Sequence, residues 1–352
     1  MMPNIKNIKI TPEMLNKITE IDVFKANWDS GAIKVRPEVL SAMKMVATIE
    51  SVGSSNRIEG NKMSDADIEK LFKKIKKTSF KSRDEEEVAG YADLIERIFS
   101  DYQVIPLNEN YIKQLHKILL AHTTKDIEHR GEYKKTSNRV AAFDASGKEI
   151  GSIFETATPF DTPRLMGELV DWTNLNLKEK YLHPIVVIGV FVVHFLSIHP
   201  FKDGNGRMSR ALTTMLMLQS GYSYMPYSSM ESIIEASKGM YYRSLHDTQK
   251  TIWTDDVDYV PWLDFFITSL QKQKRHLESK LENVAGDDDT SLSRNALNIL
   301  SAFENRPEWS SGELAKHLEM NIDTVKKILR NLTDNGRLVK HGSGRTTFYT
   351  IK

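Results

Sequence analysis

Hydrophobic residues along the chain recur mostly at helical spacing. In five segments, apolar side chains lie three and four positions apart, which places them on one face of an α-helix. These segments are 39–49, 66–75, 88–99, 111–120 and 165–175. The pattern predicts a mainly α-helical fold for most of the chain.

One segment, residues 138–158, departs from this pattern. Two short apolar stretches lie on either side of Asp-Ala-Ser-Gly at positions 144–147. Apolar stretches that flank turn residues in this way are typical of a β-hairpin. We therefore expect a hairpin here and few strands beside it. Its apolar residues are Val140, Phe143, Ile150, Ile153 and Phe154.

The most apolar stretch begins at Pro184 and ends at Ile198. Proline is favoured in the first turn of a helix because its missing N–H would have no partner there. The stretch is shorter than the roughly 20 residues that cross a bilayer, so we interpret it as a buried helix and expect no membrane partner. A second helix is predicted from about Asn205 to Ser220, and Gly221 is placed to end it.

The composition changes after residue 270, where Lys, Gln and Glu dominate up to residue 282. Residues 285–290, Ala-Gly-Asp-Asp-Asp-Thr, break the helical pattern and indicate a domain boundary. We predict an N-terminal helical region at 1–100, a core at 101–275, a linker at 276–290 and a C-terminal module at 291–352.

The C-terminal module has a distinctive order of predicted elements. Apolar spacing predicts a first helix at 292–303, a second that is capped by Ser311, and a third at 322–332. Two strands then flank a Gly-Ser-Gly turn at 342–344. Three helices followed by a hairpin resemble a winged helix-turn-helix module.

Composition and charge limit the classes of function. The 352 residues include no cysteine, which excludes disulfides, thiolate zinc sites and cysteine nucleophiles. Lys and Arg number 48 and Asp and Glu number 47, so the net charge of +1 creates no overall attraction to nucleic acid or an anionic membrane. The N-terminus has no uninterrupted apolar stretch and no small-residue cleavage site, so we expect a cytoplasmic protein.

The loop between the two apolar helices carries the residues best suited to chemistry. Gly204 and Gly206 leave backbone N–H groups accessible at the start of a helix, whose partial positive charge attracts phosphate. Arg207 and Arg210 lie three positions apart, so both guanidinium groups can approach one polyphosphate. Asp203 supplies a hard oxygen ligand that suits Mg²⁺ between two phosphates. A nucleotide polyphosphate accounts for all of these residues.

His199 begins this loop, and a histidine that titrates near neutrality suits a general base. The whole segment at 199–210, His-Pro-Phe-Lys-Asp-Gly-Asn-Gly-Arg-Met-Ser-Arg, resembles the signature of the Fic family of protein adenylyltransferases, with all nine family-defining positions present. The resemblance implies a Fic-type helical core with a β-hairpin flap. It also implies an enzyme that uses ATP: a histidine deprotonates a Ser, Thr or Tyr hydroxyl of a target protein, which attacks the α-phosphate and expels pyrophosphate.

Carried over residue by residue, the resemblance implies that His199 is the base, that Asp203 holds Mg²⁺ and that Arg210 contacts the γ-phosphate. Phe201 and Pro200 would anchor the loop in the core. The residues implied to form the anion hole are Gly204, Asn205, Gly206 and Arg207.

Two other segments resemble parts of the family that contact the nucleotide. An aromatic pair and a downstream amide at 241–249 resemble its nucleoside contacts, although a helix that packs its aromatic side chains inward is the alternative. The hairpin at 138–158 resembles the flap that holds the target by strand pairing, although an ordinary surface hairpin is the alternative. The nucleotide contacts implied in these segments are Tyr241, Tyr242, Gln249, Ser152, Ile153 and Phe154.

A possible inhibitory segment lies near residue 55. Ser55, Glu59 and Gly60 match the family's inhibitory pattern, and of the four Glu residues that precede Gly or Asn, only Glu59 has Ser or Thr four positions earlier. The resemblance implies an inhibitory helix at about 50–60 whose Glu59 binds the Arg210 guanidinium bidentately and displaces the γ-phosphate. A capping or surface glutamate is the alternative. Some relatives use this glutamate to orient a water that removes AMP, so the direction of the reaction stays open.

Functions of two classes remain open at this point. The first is an adenylyltransferase that acts on an unidentified protein, on itself, or on both; the second is a DNA-binding regulator whose core only senses nucleotide. The intact His199 favours the first, because sensing needs no base. Residues 291–352 hold ten Lys or Arg and six Asp or Glu, which is compatible with binding DNA or with docking a protein. A homodimer is also left open.

Overall fold

The computed structural model describes residues 3–33, 35–74, 80–143, 149–285 and 294–352. These residues group into two compact units. The first consists of Met1–Ile33 and Ala47–Leu277, and the second of Lys34–Val46 and Glu278–Lys352. The first unit thus combines most of the predicted N-terminal region with the predicted core.

Helices dominate the first 285 residues, as the hydrophobic pattern predicts. Short 3₁₀ helices lie at Ile5–Asn7, Thr124–His129 and Met225–Tyr227. The α-helices are α1 (Pro12–Asp29), α2 (Pro37–Ile58), α3 (Asp65–Lys74), α4 (Arg83–Asp101), α5 (Glu109–Leu119), α6 (Thr162–Glu179), α7 (Pro184–Ile198), α8 (Asn205–Gln219), α9 (Met230–Ala236), α10 (Lys238–Gln249) and α11 (Val260–Ala285).

The two helices that frame the candidate site begin and end where local chemistry dictates. α7 begins at Pro184, as predicted, and every later residue of the helix is buried. It packs against α6, α8 and α10, which confirms the prediction of a buried helix. α8 begins after Gly204, whose φ of 81° suits glycine, and Gly221 follows its end with a φ of 87°. Within the part of the chain that the structure describes, none of the helices has the length and apolarity needed to cross a bilayer.

α11 extends further than the sequence predicts. It continues to Ala285, so most of the segment 276–290 that was predicted as a linker is helical. The reason is that Leu270, Leu277 and Leu281 are buried at helical spacing among the polar residues that suggested a linker.

The predicted hairpin is confirmed. β1 (Arg139–Phe143) pairs with β2 (Glu149–Glu155) in antiparallel fashion, with two irregularities in register. The predicted turn at 144–147 lies outside the described residues. β2 lies beside α10, which brings the hairpin backbone next to the helix that carries Tyr241, Tyr242 and Gln249.

The C-terminal elements follow the predicted order, with one addition. β3 (Glu308–Trp309), β4 (Leu338–His341) and β5 (Phe348–Ile351) form a three-stranded sheet in the order β3-β5-β4. β3 was not predicted, because two residues are too few to show a pattern. Ser310, rather than the predicted Ser311, caps the second helix and forms a capping box with Glu313. The assignment to the winged helix-turn-helix class remains a prediction. The elements are α12 (Arg294–Asn305), β3 (Glu308–Trp309), α13 (Ser311–His317), α14 (Ile322–Asp334), β4 (Leu338–His341) and β5 (Phe348–Ile351).

Candidate active site

His199 lies immediately after α7 in a left-handed backbone conformation, with φ 53° and ψ 59°. Its N–H donates to the Phe195 carbonyl at 2.9 Å, and its ring Nδ1 lies 3.2 Å from the Leu196 carbonyl. Because a carbonyl only accepts, this contact places the ring proton on Nδ1. Nε2 is then the nitrogen that can act as a base.

The surroundings of His199 keep its imidazole neutral. Burial lowers the pKa of His199 to about 4, the contact with the Leu196 carbonyl opposes this change, and the nearby positive charge of Lys134 adds to it. A neutral imidazole is the form that accepts a proton. At neutral pH the side chain is therefore in the state that a base requires.

The first turn of α8 forms a cradle for an anion. The N–H groups of Asn205, Gly206 and Arg207 open the helix, where no preceding turn provides acceptors. A Cβ on Gly206 would lie 2.1 Å from the Glu59 Oε1 and 3.3 Å from the Arg210 Nη1. Only glycine therefore leaves room for a group to approach the backbone at this point.

The Asn205 side chain closes the loop, while its backbone N–H belongs to the cradle, and its contact with the nucleotide stays a prediction. Its Oδ1 accepts from the Phe201 N–H at 2.9 Å and its Nδ2 donates to the Phe201 carbonyl at 2.8 Å. Both ends of the amide thus help to close the loop, and the backbone N–H of Asn205 lies in the opening turn of the helix. Phe201 is buried as expected and stacks on His116, with 3.7 Å between the ring centroids.

Two buried arginines next to the cradle have donors that form no hydrogen bond with the described residues, although the Arg207 Nη1 lies 3.7 Å from the Glu87 Oε2. Arg207 is 2% exposed and Arg210 is 5% exposed. Among the described residues, the Nε and Nη1 of Arg207 and the Nη1 of Arg210 have no hydrogen-bond partner. A buried donor without a partner costs about 1 to 3 kcal/mol. These groups are therefore suited to an incoming anion, as the sequence predicts.

Arg210 also binds the segment that was predicted to inhibit the site. Its Nε donates to the Ser55 Oγ, and its Nη2 donates both to the Ser55 carbonyl and to the Glu59 Oε1, each at 2.8 Å. Ser55 lies in the last turn of α2 and Glu59 directly after the helix, four positions on, so both reach the same guanidinium. The predicted contact between Glu59 and Arg210 exists, but it involves one donor nitrogen, Nη2, rather than two, because Nε donates to Ser55 and Nη1 forms no hydrogen bond with the described residues.

Asp203 lies at the exposed edge of the site. Its Oδ1 accepts from the Gly204 N–H at 2.7 Å, and its Oδ2 lies 3.2 Å from the Arg83 Nη2 and 3.3 Å from the Arg207 Nη2. Burial alone would raise the pKa of Asp203, but Arg207, the Gly204 N–H and Arg83 outweigh it and lower the pKa. Among the described residues, no three His, Cys, Asp or Glu side chains are grouped so that they could hold a metal ion.

The structure brings the other predicted nucleotide contacts to the same cavity, which has a volume of about 140 Å³. The Tyr241 and Tyr242 rings meet edge to face, with 5.1 Å between their centroids. The Gln249 Nε2 donates to the Ser197 Oγ at 3.1 Å, while its Oε1 is buried without a hydrogen-bond partner among the described residues. The cavity is lined by Glu59, Leu196, His199, Lys202, Asp203, Gly204, Asn205, Gly206, Tyr241, Tyr242, Leu245 and Gln249.

Three further predicted contacts lie on the hairpin, and two residues that the sequence did not indicate lie beside His199. Ser152, Ile153 and Phe154 lie on β2, and their side chains are outside the description. Lys134 and Asn138 hold the loop around His199, although the sequence contains no pattern that singles them out. Their importance rests on contacts about 60 positions away, which a local pattern does not reveal.

Comparison with known proteins finds similarity to one family. Residues 106–217 match the sequence model of the family described as "Fic/DOC family". A Drosophila willistoni protein named "Protein adenylyltransferase Fic" is 26% identical over 223 residues, which cover 62% of this chain and 42% of that protein. A protein of the same name from Aedes aegypti is 30% identical over 182 residues, which cover 50% of this chain and 33% of that protein. The matches thus cover less than half the length of these curated relatives.

A solved structure shares the fold. The crystal structure of a Fic family protein from Desulfovibrio desulfuricans G20 matches this chain with a TM-score of 0.63, and the match covers 98% of each chain. The sequence identity is 22%, so this similarity concerns the fold alone.

Proposed function

We propose that this chain, a member of the Fic family, is a protein adenylyltransferase that transfers AMP from ATP to a Ser, Thr or Tyr hydroxyl of a protein. One observation carries the proposal: two buried arginines, Arg207 and Arg210, have donors without a hydrogen-bond partner among the described residues and lie in the first two turns of α8, whose opening residues line one cavity with the neutral His199. A polyphosphate would satisfy these donors, and the imidazole would activate a hydroxyl.

The reaction follows from these positions. The target hydroxyl gives its proton to the Nε2 of His199, and its oxygen attacks the α-phosphorus of ATP. The bond from that phosphorus to the bridging oxygen breaks, and pyrophosphate leaves with the bonding electrons. The backbone N–H groups of Gly206 and Arg207 and the Arg207 guanidinium stabilise the negative charge that develops on the phosphate oxygens.

Asp203 fits the role of a Mg²⁺ ligand. Its pKa is lowered, so it is an ionised hard-oxygen donor at neutral pH, and phosphate oxygens would complete the coordination. Mg²⁺ would neutralise charge on the phosphates when it is bound. In that state the Arg83 and Arg207 contacts to the carboxylate would weaken.

We assign an inhibitory role to Glu59. Its carboxylate occupies the Arg210 Nη2 that would otherwise bind the γ-phosphate, and it lies where a Cβ on Gly206 would collide with it. The cavity of about 140 Å³ is smaller than the roughly 300 to 1,000 Å³ of typical ligand pockets. Both observations support a resting state that hinders productive ATP binding.

The same arrangement supports removal of AMP as the second candidate activity. The Glu59 side chain is about one third exposed and lines the cavity beside His199, so it could orient a water toward a phosphodiester. Incubation with a purified AMP-modified protein distinguishes addition of AMP from its removal. Release of AMP by the wild type, and its loss in Glu59→Gly, would favour removal.

The reaction partners follow from the proposed chemistry. ATP is the nucleotide, the protein substrate is another protein or this chain itself, and the proposed location is the cytoplasm.

Incubation of the wild type and Glu59→Gly with each labelled nucleoside triphosphate, followed by intact-mass measurement, tests the proposal. A mass increase of one AMP with ATP alone is expected. Transfer of phosphate, or no covalent change in either protein, would contradict it.

The second unit carries a separate proposal. Lys326, Lys327 and Arg330 are exposed on α14, a basic face that suits the phosphates of DNA. Binding to mixed-sequence DNA should weaken steeply with salt and decrease when Lys326 and Arg330 are both changed to Ala. Absence of binding at low salt would instead favour a role in docking a protein.

A further inference from the structure

The C-terminus of α7 is unusual in how its carbonyls are satisfied. The last four carbonyls of a helix have no partner within it. Here His199 itself takes two of them, since its N–H donates to Phe195 and its Nδ1–H to Leu196. The Ser197 carbonyl accepts from the Ala157 N–H at 3.3 Å, and the Ile198 carbonyl accepts from the Lys134 Nζ at 2.9 Å.

Lys134 is a buried cation with neutral partners. It is 4% exposed, and its Nζ donates to the Asn138 Oδ1 at 2.8 Å, the Thr156 Oγ1 at 2.9 Å and the Ile198 carbonyl. Among the described residues no carboxylate forms an ion pair with it. Burial lowers the pKa of Lys134 to about 8, which leaves it mainly protonated at neutral pH. The negative end of the α7 dipole partly offsets the cost of burying this charge.

Lys134 and Asn138 together hold four consecutive carbonyls. Lys134 binds the Ile198 carbonyl through its Nζ and the Pro200 carbonyl through its backbone N–H at 2.8 Å. The Asn138 Nδ2 donates to the His199 carbonyl at 3.3 Å and to the Phe201 carbonyl at 2.8 Å. The backbone on both sides of the base is therefore fixed by two residues from one segment, 134–138, through their side chains and one backbone N–H.

The same pair is connected to the hairpin. The Thr156 Oγ1, one residue beyond β2, lies 2.7 Å from both the carbonyl and the Oδ1 of Asn138 while it accepts from Lys134. The end of the hairpin and the loop that carries His199 thus share one hydrogen-bond network. A displacement of one part would disturb the other.

We propose that Lys134 and Asn138 are positioning residues of the transfer reaction, and this proposal rests on the function proposed above. They hold His199 in its left-handed conformation, which is unfavourable for a residue with a Cβ. They thereby keep the Nδ1–H on the Leu196 carbonyl and Nε2 toward the cavity. The positive charge of Lys134 also lowers the pKa of His199, which helps to keep the imidazole neutral.

The kinetic test uses Lys134→Met in a Glu59→Gly background, in which AMP transfer should be measurable. The substitution keeps the length of the side chain and removes its charge and donors. We expect kcat to fall about 10- to 100-fold, because a small misplacement of a reacting group has effects of that size. The Kd for Mg-ATP should stay within about twofold, since Lys134 does not line the cavity. Asn138→Ala should reduce kcat in the same way but less.

Lys274→Met is the matched control. Lys274 is also 4% exposed, but it pairs with Glu20 and does not line the cavity. It should leave kcat unchanged, and thermal unfolding of both variants shows whether either substitution merely destabilises the protein. Loss of kcat in parallel with loss of ATP affinity and thermal stability would reduce Lys134 to a structural residue.

A second measurement needs no reaction. Long-range ¹H–¹⁵N correlation spectra report the tautomer and the pKa of His199 in the unmodified protein. In Lys134→Met the pKa should move upward toward the ordinary value of about 6.5, and the Nδ1–H form should lose its dominance. An unchanged tautomer and pKa would overturn the proposal. If Glu59→Gly transfers no AMP at all, the proposed function fails, while these spectra still decide the role of Lys134.

Discussion

The two faces of the end of α2 bind arginines in contrasting ways. On one face, Arg57 uses all its donors: it binds Glu235 through Nε and Nη2, and Asp65 through Nη1. The Met63 carbonyl and the Ser54 Oγ accept its remaining N–H groups. On the other face, the buried Arg210 binds Ser55 and Glu59 but has no partner for its Nη1 among the described residues.

This difference indicates that Arg57 has a structural role, whereas Arg210 can exchange one anionic partner for another. A saturated guanidinium gains nothing from a new anion, so the cluster around Arg57 fixes the end of α2 against α9 and the start of α3. An unsaturated guanidinium in a buried site gains hydrogen bonds when a polyphosphate replaces a single carboxylate oxygen. The comparison therefore predicts that Arg210 changes partners during the reaction and that Arg57 does not.

The largest effect on the rate of AMP transfer should come from replacing the proposed base, His199, which lies in the same site as the Arg210 face of α2. In a Glu59→Gly background, His199→Ala should lower the rate of AMP transfer about 10² to 10⁴-fold, the usual contribution of a positioned general base. The Kd for ATP should hardly change, because the cradle is built from α8. Incorporation of radiolabelled AMP measures the rate. An alanine variant with undiminished transfer would remove His199 from the mechanism and leave the cradle as a binding site only.

The next effect concerns the partner of Arg210. Glu59→Gly removes the carboxylate and leaves the loop intact, so self-modification should rise tenfold or more, which requires only about 1.4 kcal/mol of relief. The gain should vanish when His199→Ala is added. Arg210→Ala should not imitate it, because this change removes the anchor of Glu59 and of the γ-phosphate together. Equal AMP incorporation by Glu59→Gly and wild type at saturating Mg-ATP would show that the glutamate is not inhibitory.

A smaller effect on the rate is expected from Arg57, whose donors all have acceptors. Arg57→Met removes the contacts to Glu235 and Asp65, so α2 should be held less firmly and the wild-type rate should rise about threefold, equivalent to about 0.7 kcal/mol. The same change should have no effect on rate in the Glu59→Gly background, where no inhibitory contact remains. Thermal unfolding should occur at a lower temperature in both backgrounds. A rise as large as that of Glu59→Gly would break the distinction between the two faces.

The smallest effect concerns pH. In the proposed mechanism the neutral imidazole is the active form, and burial lowers the pKa of His199 to about 4. Activity should therefore persist as pH falls and be lost only near that pKa. In Glu59→Gly, kcat/KM at pH 5.5 should stay within about twofold of its value at pH 7.5, whereas a histidine with an ordinary pKa of about 6.5 would lose about tenfold. A tenfold loss by pH 5.5 would mean that the site does not lower this pKa.

Local pattern was sufficient for much of the framework. α7 begins and ends where its apolar stretch does, because a proline, a continuous apolar composition and the following turn act within a few residues. The motif at 199–210 is also contiguous, so its suitability for binding phosphate can be predicted from the sequence alone. The pattern was least informative for short or polar elements, such as the two residues of β3 and the polar end of α11.

The sequence by itself thus determined the helical framework, the hairpin and the chemical type of the site. Only the tertiary structure decided how the donors are distributed: that Asn205 closes the loop, that Ser55 shares Arg210 with Glu59, and that Lys134 caps α7. Arg57 and Glu235 lie 178 positions apart, and Ser55 and Arg210 lie 155 apart. Hydrogen bonds between such residues depend on how the helices pack. The spacing of residues along one helix does not predict which residue of another helix will be their hydrogen-bond partner.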